Sequence, residues 1–141
     1  MRLVEFKTNK TPGQVIDKLR ENASDFGFII REVFDMADEF RSHKVDVDEN
    51  FEYYSVMVCN PQKAYKSISK KPLRGAVLLP PKQVTIFRDD KDTVISYAAI
   101  EEKDVKKLMP QDTQFQKGLP ESCQKIIDFI EEVAQKQVKA K

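Results

Sequence analysis

The 141 residues suffice for one ordinary domain, which can bury about two thirds of its unfolded surface without a metal or a disulfide. Apolar residues make up 40% of the chain and charged residues 33%, and 24 basic against 23 acidic residues leave a net charge of +1. This balance argues against a nucleic-acid binder that relies on overall positive charge. The longest aliphatic run, at 76–79, is far too short to cross a membrane.

The first quarter of the chain has a strand, a helix and a second strand in its pattern. Residues 2–8 alternate apolar and polar side chains, which predicts a half-buried strand. Apolar residues at helical spacing predict a helix over 12–24, with Thr11 as the cap and Gln14 completing a capping box. The β-branched and aromatic residues at 28–34 predict a second strand, placed centrally in the sheet.

A less regular segment follows at 35–50. Its first part, 35–41, predicts one or two helical turns, and its acidic end, 46–50, is loop-like in composition. The acidic stretch lacks the glycine and the terminal glutamate of a calcium-binding loop, so we interpret it as a solvated loop.

The middle and end of the chain contain the clearest signals for where helices and strands begin and end. Residues 51–58 predict a strand, after which Asn60 and Pro61 fit the cap and first position of a helix that Pro72 and Gly75 stop. The remaining predicted elements are strands at 76–79, 83–88 and 93–99, a hairpin turn at 89–92, and helices at 101–108 and from Leu119 onwards.

The order of these elements is β-α-β-β-α-β-β-β-α-α. Consecutive hairpin-like strands dominate it, which predicts an α+β domain over residues 1–141. We expect a mostly antiparallel sheet with helices packed on one face.

Cys59 lies where a strand is predicted to end and a helix to begin. The positive end of a helix dipole lowers the pKa of a nearby thiol and can make it reactive. The alternative is a small buried side chain at a strand end. Cys59 and Cys123 form no Cys-x-x-Cys motif, so we expect both to be free thiols in a reducing cytoplasm. The charged residues among 1–7 are unlike the apolar core of a signal peptide, so we expect this stretch not to be one.

The helix after Asn60 is also rich in positive charge. Free N–H groups at its start and the nearby basic side chains could hold a small anion. The alternative is a solvated helix face, because its lysines repeat every three and four residues. The basic residues concerned are Lys63, Lys66, Lys70, Lys71 and Arg74.

Other catalytic arrangements are absent from the sequence. His43 is the only histidine and lies in a polar stretch, where we expect it to be exposed. The chain has too few histidines and cysteines for a metal site of the usual kind, and its four glycines form no phosphate loop. We therefore expect no metal and no cofactor, and whether the protein is an enzyme stays open.

Aromatic residues on the 51–58 strand offer one more surface. Alternation places Phe51 and Tyr53 on one side of the strand and Tyr54 on the other. Stacking on nucleic-acid bases is one use of such a row, but core packing and dimer contact are more ordinary ones.

The motif Cys59-Asn60-Pro61-x-x-Ala64, followed by Pro72-x-x-Gly75 and Leu79-Pro80, resembles domain-of-unknown-function family 302. The resemblance covers roughly residues 12–100. It implies a small α+β domain with an antiparallel sheet, dimeric, and without an established activity.

The chain departs from that family at one place. Members usually have Leu-Pro-Cys where this chain has Leu79-Pro80-Pro81. A disulfide switch or a two-cysteine metal site between these positions is therefore not available here.

We predict a cytoplasmic, homodimeric ligand-binding or interaction module with its site near the Cys59–Asn60 helix start. A small anion is the candidate ligand, and neither nucleic acid nor membrane is expected as a partner. The alternatives are an enzyme or redox protein that uses Cys59, and a purely structural homodimeric module. The predicted site residues are Cys59, Asn60, Lys63, Arg74, Pro80 and Pro81.

Overall fold

The computed structural model describes residues 1–78 and 82–135, and its strands form one antiparallel sheet. The strands lie side by side in the order β1-β5-β4-β3-β2, and each neighbouring pair is antiparallel. The predicted α+β class is thereby confirmed. The strands are β1 (Arg2–Thr8), β2 (Ile29–Asp35), β3 (Tyr53–Cys59), β4 (Gln83–Asp89) and β5 (Asp92–Ala99).

Six helices accompany the sheet in the described residues, and several of their ends follow local sequence signals. Thr11 caps the first helix through the predicted capping box, in which its hydroxyl accepts from Gln14 N–H and the Gln14 side chain accepts from Thr11 N–H. The helices are α1 (Pro12–Asn22), α2 (Met36–Ser42), α3 (Pro61–Lys70), α4 (Arg74–Leu78), α5 (Glu102–Leu108) and α6 (Thr113–Gln135).

The core lies between the inner sheet face and the two helices α1 and α6. Alternate residues of the central strands point into it, and both helices contact the sheet. Fully burying one large aliphatic or aromatic side chain contributes about 1.5–3 kcal/mol, so this layer is the main source of stability. Its most buried members include Leu19, Val56, Val58, Val84, Ile86, Ile95, Tyr97, Ile126, Phe129 and Ile130.

The outer sheet face carries a row of stacked aromatic rings. Phe51 stacks on Tyr53 with ring centroids 5.9 Å apart, and Tyr53 stacks on Phe87 at 5.4 Å. Tyr54 packs instead against the core. The predicted division of these side chains between the two faces is confirmed.

Strand β2 forms an edge of the sheet, so its predicted central position is wrong. Its pairing with β3 shifts register between Ile30 and Glu32, which leaves Arg31 as an extra residue in the ladder. The β-branched composition predicted the strand correctly, but composition does not report how many neighbours a strand has.

Two further predictions are corrected by the helices. The predicted strand at 76–79 is not formed, because α4 (Arg74–Leu78) occupies most of it; four apolar residues fit a helix as well as a strand. The last helix begins at Thr113 instead of Leu119, with Pro120 inside it.

Candidate functional site

Helix α3 starts directly after β3, and its start is held by local contacts. The Asn60 side-chain oxygen accepts from Lys63 N–H at 3.1 Å, and Pro61 occupies the first helical position, as the sequence predicted. Gly27, with φ of 78°, lies beside this turn, and a Cβ there would meet Asn60 Nδ2 at 3.5 Å. The cap side chain of Asn60 is therefore engaged with its own helix.

A cleft of about 230 Å³ lies along the flank of α3, between that helix and α6. Five basic side chains border it, and no aspartate or glutamate does. Its lining residues are Lys63, Ala64, Lys66, Ser67, Lys70, Arg74, Leu78, Lys82, Gln114, Phe115, Gly118, Leu119 and Ser122.

The four lysines of the cleft are without counter-charges. In residues 1–78 and 82–135, none of them forms an ion pair within 4.0 Å. Like charges gathered around one concave surface create a positive potential that attracts anions. The lysines are Lys63, Lys66, Lys70 and Lys82.

Arg74 differs from the lysines because its charge is matched. Its Nε donates to Asp112 Oδ2 at 2.7 Å, and a second guanidinium nitrogen donates to Asp112 Oδ1 at 2.8 Å. Asp112 also accepts from Phe115 N–H at 3.1 Å at the start of α6. The hydrogen bonds from Arg74 lower the pKa of Asp112 to about 2, so the carboxylate stays charged at neutral pH. This ion pair joins α4 to the start of α6, and we call it the latch.

Lys82 is the most unusual cation of the site. Only 5% of it is exposed, and its ammonium makes no hydrogen bond or ion pair with the described residues. Burial lowers the pKa of Lys82, and the nearby charge of Lys63 lowers it further. Lys82 lines the cleft and also a second cavity of about 310 Å³.

The two thiols lie near Lys82 on either side of the sheet. Cys59 lines the second cavity, and Cys123 is buried in α6; both are free. Tyr97 hydrogen-bonds to Cys123, and its pKa is raised chiefly because it is buried. As thiolates, both cysteines would favour the protonated form of Lys82, but burial has the larger effect on its pKa. The second cavity is lined by Arg31, Glu32, Phe34, Met57, Cys59, Leu78 and Lys82.

The predicted site residues are distributed over three places. Lys63 and Arg74 line the cleft, Cys59 lines the second cavity, and Asn60 caps α3. Pro80 and Pro81 lie outside the described residues.

Apart from Lys63, Lys66, Lys70 and Arg74, the lining residues were not predicted, among them Lys82, Gly118 and Ser122. Gly118 and Ser122 stand four residues apart on α6, and this helical spacing could have placed them on one face. No local signal marks Lys82 as buried.

Other candidate groups contribute little to a site. His43 is exposed and lies 3.1 Å from Glu39, one helical turn away. No cluster of three or more metal-ligating side chains occurs in residues 1–78 and 82–135. Within the same ranges, every helix is too short or too polar to span a lipid bilayer.

The fold and the cleft define an α+β domain with a cationic ligand-sized cavity at one end of its sheet. A family model described as "Domain of unknown function DUF302" matches residues 4–136, so the chain belongs to that family.

A crystal structure described as an uncharacterized conserved protein DUF302 from Bacillus stearothermophilus is similar to this chain. It is 18% identical, the alignment covers 95% of this chain and 96% of the other, and the TM-score is 0.69. At this identity the likeness concerns the fold. A search of curated proteins finds no match to the sequence.

Proposed function

We propose that this protein binds a small anion with phosphate or carboxylate groups in the cleft between α3 and α6. The observation that carries this proposal is the lining itself: four lysines without ion-pair partners in the described residues, and no acidic side chain. An anion would relieve the mutual repulsion of these ammonium groups, and the low-dielectric wall would strengthen each contact.

Gly118 gives the proposal independent support. It lies inside α6, where glycine costs about 1 kcal/mol relative to alanine. No atom comes within 4 Å of a Cβ built at this position, so close packing does not require the glycine. Its lack of a side chain keeps the cleft open beside α3.

Calorimetric titration at low salt tests the proposal with phosphate, pyrophosphate, nucleotides and sulfated compounds as probes. We expect binding that tightens as the charge of the anion rises and weakens with added salt. Cys59→Ser should leave this binding intact, whereas an enzyme that depends on the Cys59 thiol would lose its chemistry. Absence of heat with every probe would overturn the proposal.

Two double variants, one inside the cleft and one outside it, test where the anion binds. Lys66→Gln combined with Lys70→Gln removes two charges from the cleft and should weaken pyrophosphate binding at least about tenfold. The control combines Lys91→Gln with Lys107→Gln, which removes two exposed charges outside the cleft lining. Equal effects of both pairs would mean that binding follows net charge alone.

A homodimer formed through the outer sheet face is a second proposal. The row Phe51–Tyr53–Phe87 supports it, together with two exposed apolar side chains on the same face, Leu3 and Phe34. A nearly neutral chain opposes self-association little, and a two-fold dimer pairs one patch with itself. The free thiols fit the proposed cytoplasmic location.

Light scattering after size exclusion tests the dimer. We expect twice the mass of one chain for the wild type, and the mass of one chain for Phe34→Glu. Leu108→Glu is the control, because Leu108 is an exposed apolar residue of α5. A wild type of single-chain mass at micromolar concentration would contradict the proposed dimer.

A further inference from the structure

Anion binding alone leaves the burial of Lys82 unexplained. Exposed lysines such as Lys66 and Lys70 can hold an anion without losing their hydration. The ammonium itself keeps some contact with solvent, since no fully buried side-chain nitrogen of the described residues lacks a hydrogen-bond partner, but most of the side chain is shielded from water. A lysine shielded to this degree, with no carboxylate partner in the described residues, points to a use that surface lysines cannot serve.

The position of Lys82 suggests what that use is. It borders both the cationic cleft, of about 230 Å³, and the second cavity, of about 310 Å³. The second cavity is mainly apolar and includes Phe34, Met57 and Leu78. The amine is thus placed between a region that attracts negative charge and a second cavity of mainly apolar lining, to which Arg31 and Glu32 also contribute.

We propose that Lys82 is a nucleophile that forms an imine with a small aldehyde or ketone carrying a phosphate or carboxylate group. This inference rests on the proposed anion site and names its ligand class. The lysines of α3 would hold the anionic end, while the carbonyl carbon meets the Lys82 nitrogen.

The reaction is a condensation that needs no oxidant or reductant. The nitrogen lone pair adds to the carbonyl carbon, and the C–O bond then breaks. The carbonyl oxygen leaves as one water molecule with the two hydrogens of the amine, and a carbon–nitrogen double bond remains.

The surroundings of Lys82 favour the neutral amine that this step requires. Burial lowers its pKa, and the positive charge of Lys63 acts in the same direction. Desolvation and a neighbouring cation are the two general means of activating a lysine toward carbonyl compounds. Cys123 and Cys59 act in the opposite direction, each with a smaller effect than burial and a larger one than Lys63, so burial is the dominant cause.

Reductive trapping tests the inference on the whole wild-type chain. The protein is incubated with glycolaldehyde phosphate and sodium cyanoborohydride, and modified lysines are located by peptide mass spectrometry. Glycolaldehyde without phosphate is the matched probe. We expect the Lys82 adduct to exceed that of exposed Lys91 by about tenfold, because the cleft holds the phosphate group with the aldehyde beside the Lys82 amine.

Further experiments test the imine separately from the proposed anion site. Pyrophosphate should suppress the Lys82 adduct, and Lys82→Arg should abolish it. Labelling of lysines in proportion to exposure would overturn the imine inference. So would equal labelling of Lys82 by both aldehydes, since the inference requires an anionic ligand.

The failures of the two proposals are distinguishable. Pyrophosphate binding without a Lys82 adduct would sink the imine inference and leave the anion site standing. Absence of pyrophosphate binding would remove the proposed function and the inference that rests on it.

Discussion

Arg74 and Lys82 are two cations of the same cleft with nearly equal burial and opposite surroundings. They are 4% and 5% exposed. Arg74 is clasped by both oxygens of Asp112, whereas Lys82 has no ion-pair partner in the described residues. Burial alone therefore does not separate the charge that stabilises the fold, on Arg74, from the charge for which we propose a function, on Lys82; the presence of a partner does.

The two residue types suit these roles. A guanidinium is always charged and offers a planar fork that matches a carboxylate, so it can serve as a permanent latch. An ammonium on a flexible stem loses its proton more readily when buried, so it can become a nucleophile. Exchanging arginine and lysine between positions 74 and 82 would remove both the permanent ion pair and the amine that can lose its proton.

Breaking the latch should have the largest effect. Asp112→Ala leaves the buried Arg74 guanidinium without its partner, which should lower the free energy of unfolding by about 3–5 kcal/mol. Urea unfolding measures this change. Glu21→Gln is the control, because it breaks an exposed ion pair with Lys18 and should cost less than about 0.5 kcal/mol. A loss of similar size in both variants would contradict the latch.

Acid should open the same latch gradually. The pKa of Asp112 is lowered from 3.8 to about 2 in the folded protein. Between these values the unfolded chain binds more protons, so the contribution is complete above 3.8 and is lost as the pH falls through about 2. Denaturant unfolding from pH 5 to about 2 should show this slope. A wild-type slope in Asp112→Asn would disprove its assignment to Asp112.

Removing the charge of Lys82 should have the opposite sign. Lys82→Met keeps the length of the side chain and removes an unpaired ammonium, so stability should rise on the order of 1 kcal/mol. The same variant should bind pyrophosphate more weakly in calorimetry. Destabilisation as large as that of Asp112→Ala would show that Lys82 is a structural charge.

The smallest expected change concerns Gly118, which lines the cleft from the α6 side. Gly118→Ala should raise the free energy of unfolding by about 0.5–1 kcal/mol and weaken pyrophosphate binding slightly, because its methyl group narrows the cleft. Gly118→Leu should weaken that binding by about tenfold, because its side chain enters the cleft. Equal binding by both variants would place the anion elsewhere.

Sequence reasoning succeeded where the signal is local. Alternation predicted β1, local composition and turn signals predicted β3, β4 and β5, and the side-chain caps Thr11 and Asn60 predicted the starts of α1 and α3. Sequence reasoning failed where contacts with residues distant in sequence decide which element forms. The run at 76–79 fits either element type, and α4 forms beside Arg74, whose partner Asp112 is 38 residues away.

The start of α6 shows how one signal can hide another. Proline is common at the first helical position, so Pro120 suggested a start at Leu119. Asp112 is a stronger marker, since its carboxylate accepts from Phe115 N–H and α6 begins beside it. Phe115, Leu119 and Cys123 continue the helical spacing backwards, so the sequence did contain this information.

The site was less accessible to sequence reasoning than the fold. The spacing of Lys63, Lys66 and Lys70 fits a solvated helix face and a cleft wall equally well, and only the approach of α6 decides. The burial of Lys82 likewise depends on elements distant in sequence. Its type and spacing do not distinguish it from a surface lysine.

The extra residue Arg31 in β2 has a consequence for aggregation. A regular edge strand offers a ladder of free N–H and C=O groups to another chain, and a bulge with charged side chains interrupts that ladder. Deleting Arg31 would restore continuous spacing between Ile30 and Glu32. The bulge therefore opposes the open-ended growth of sheets from chain to chain, and its removal should favour fibres.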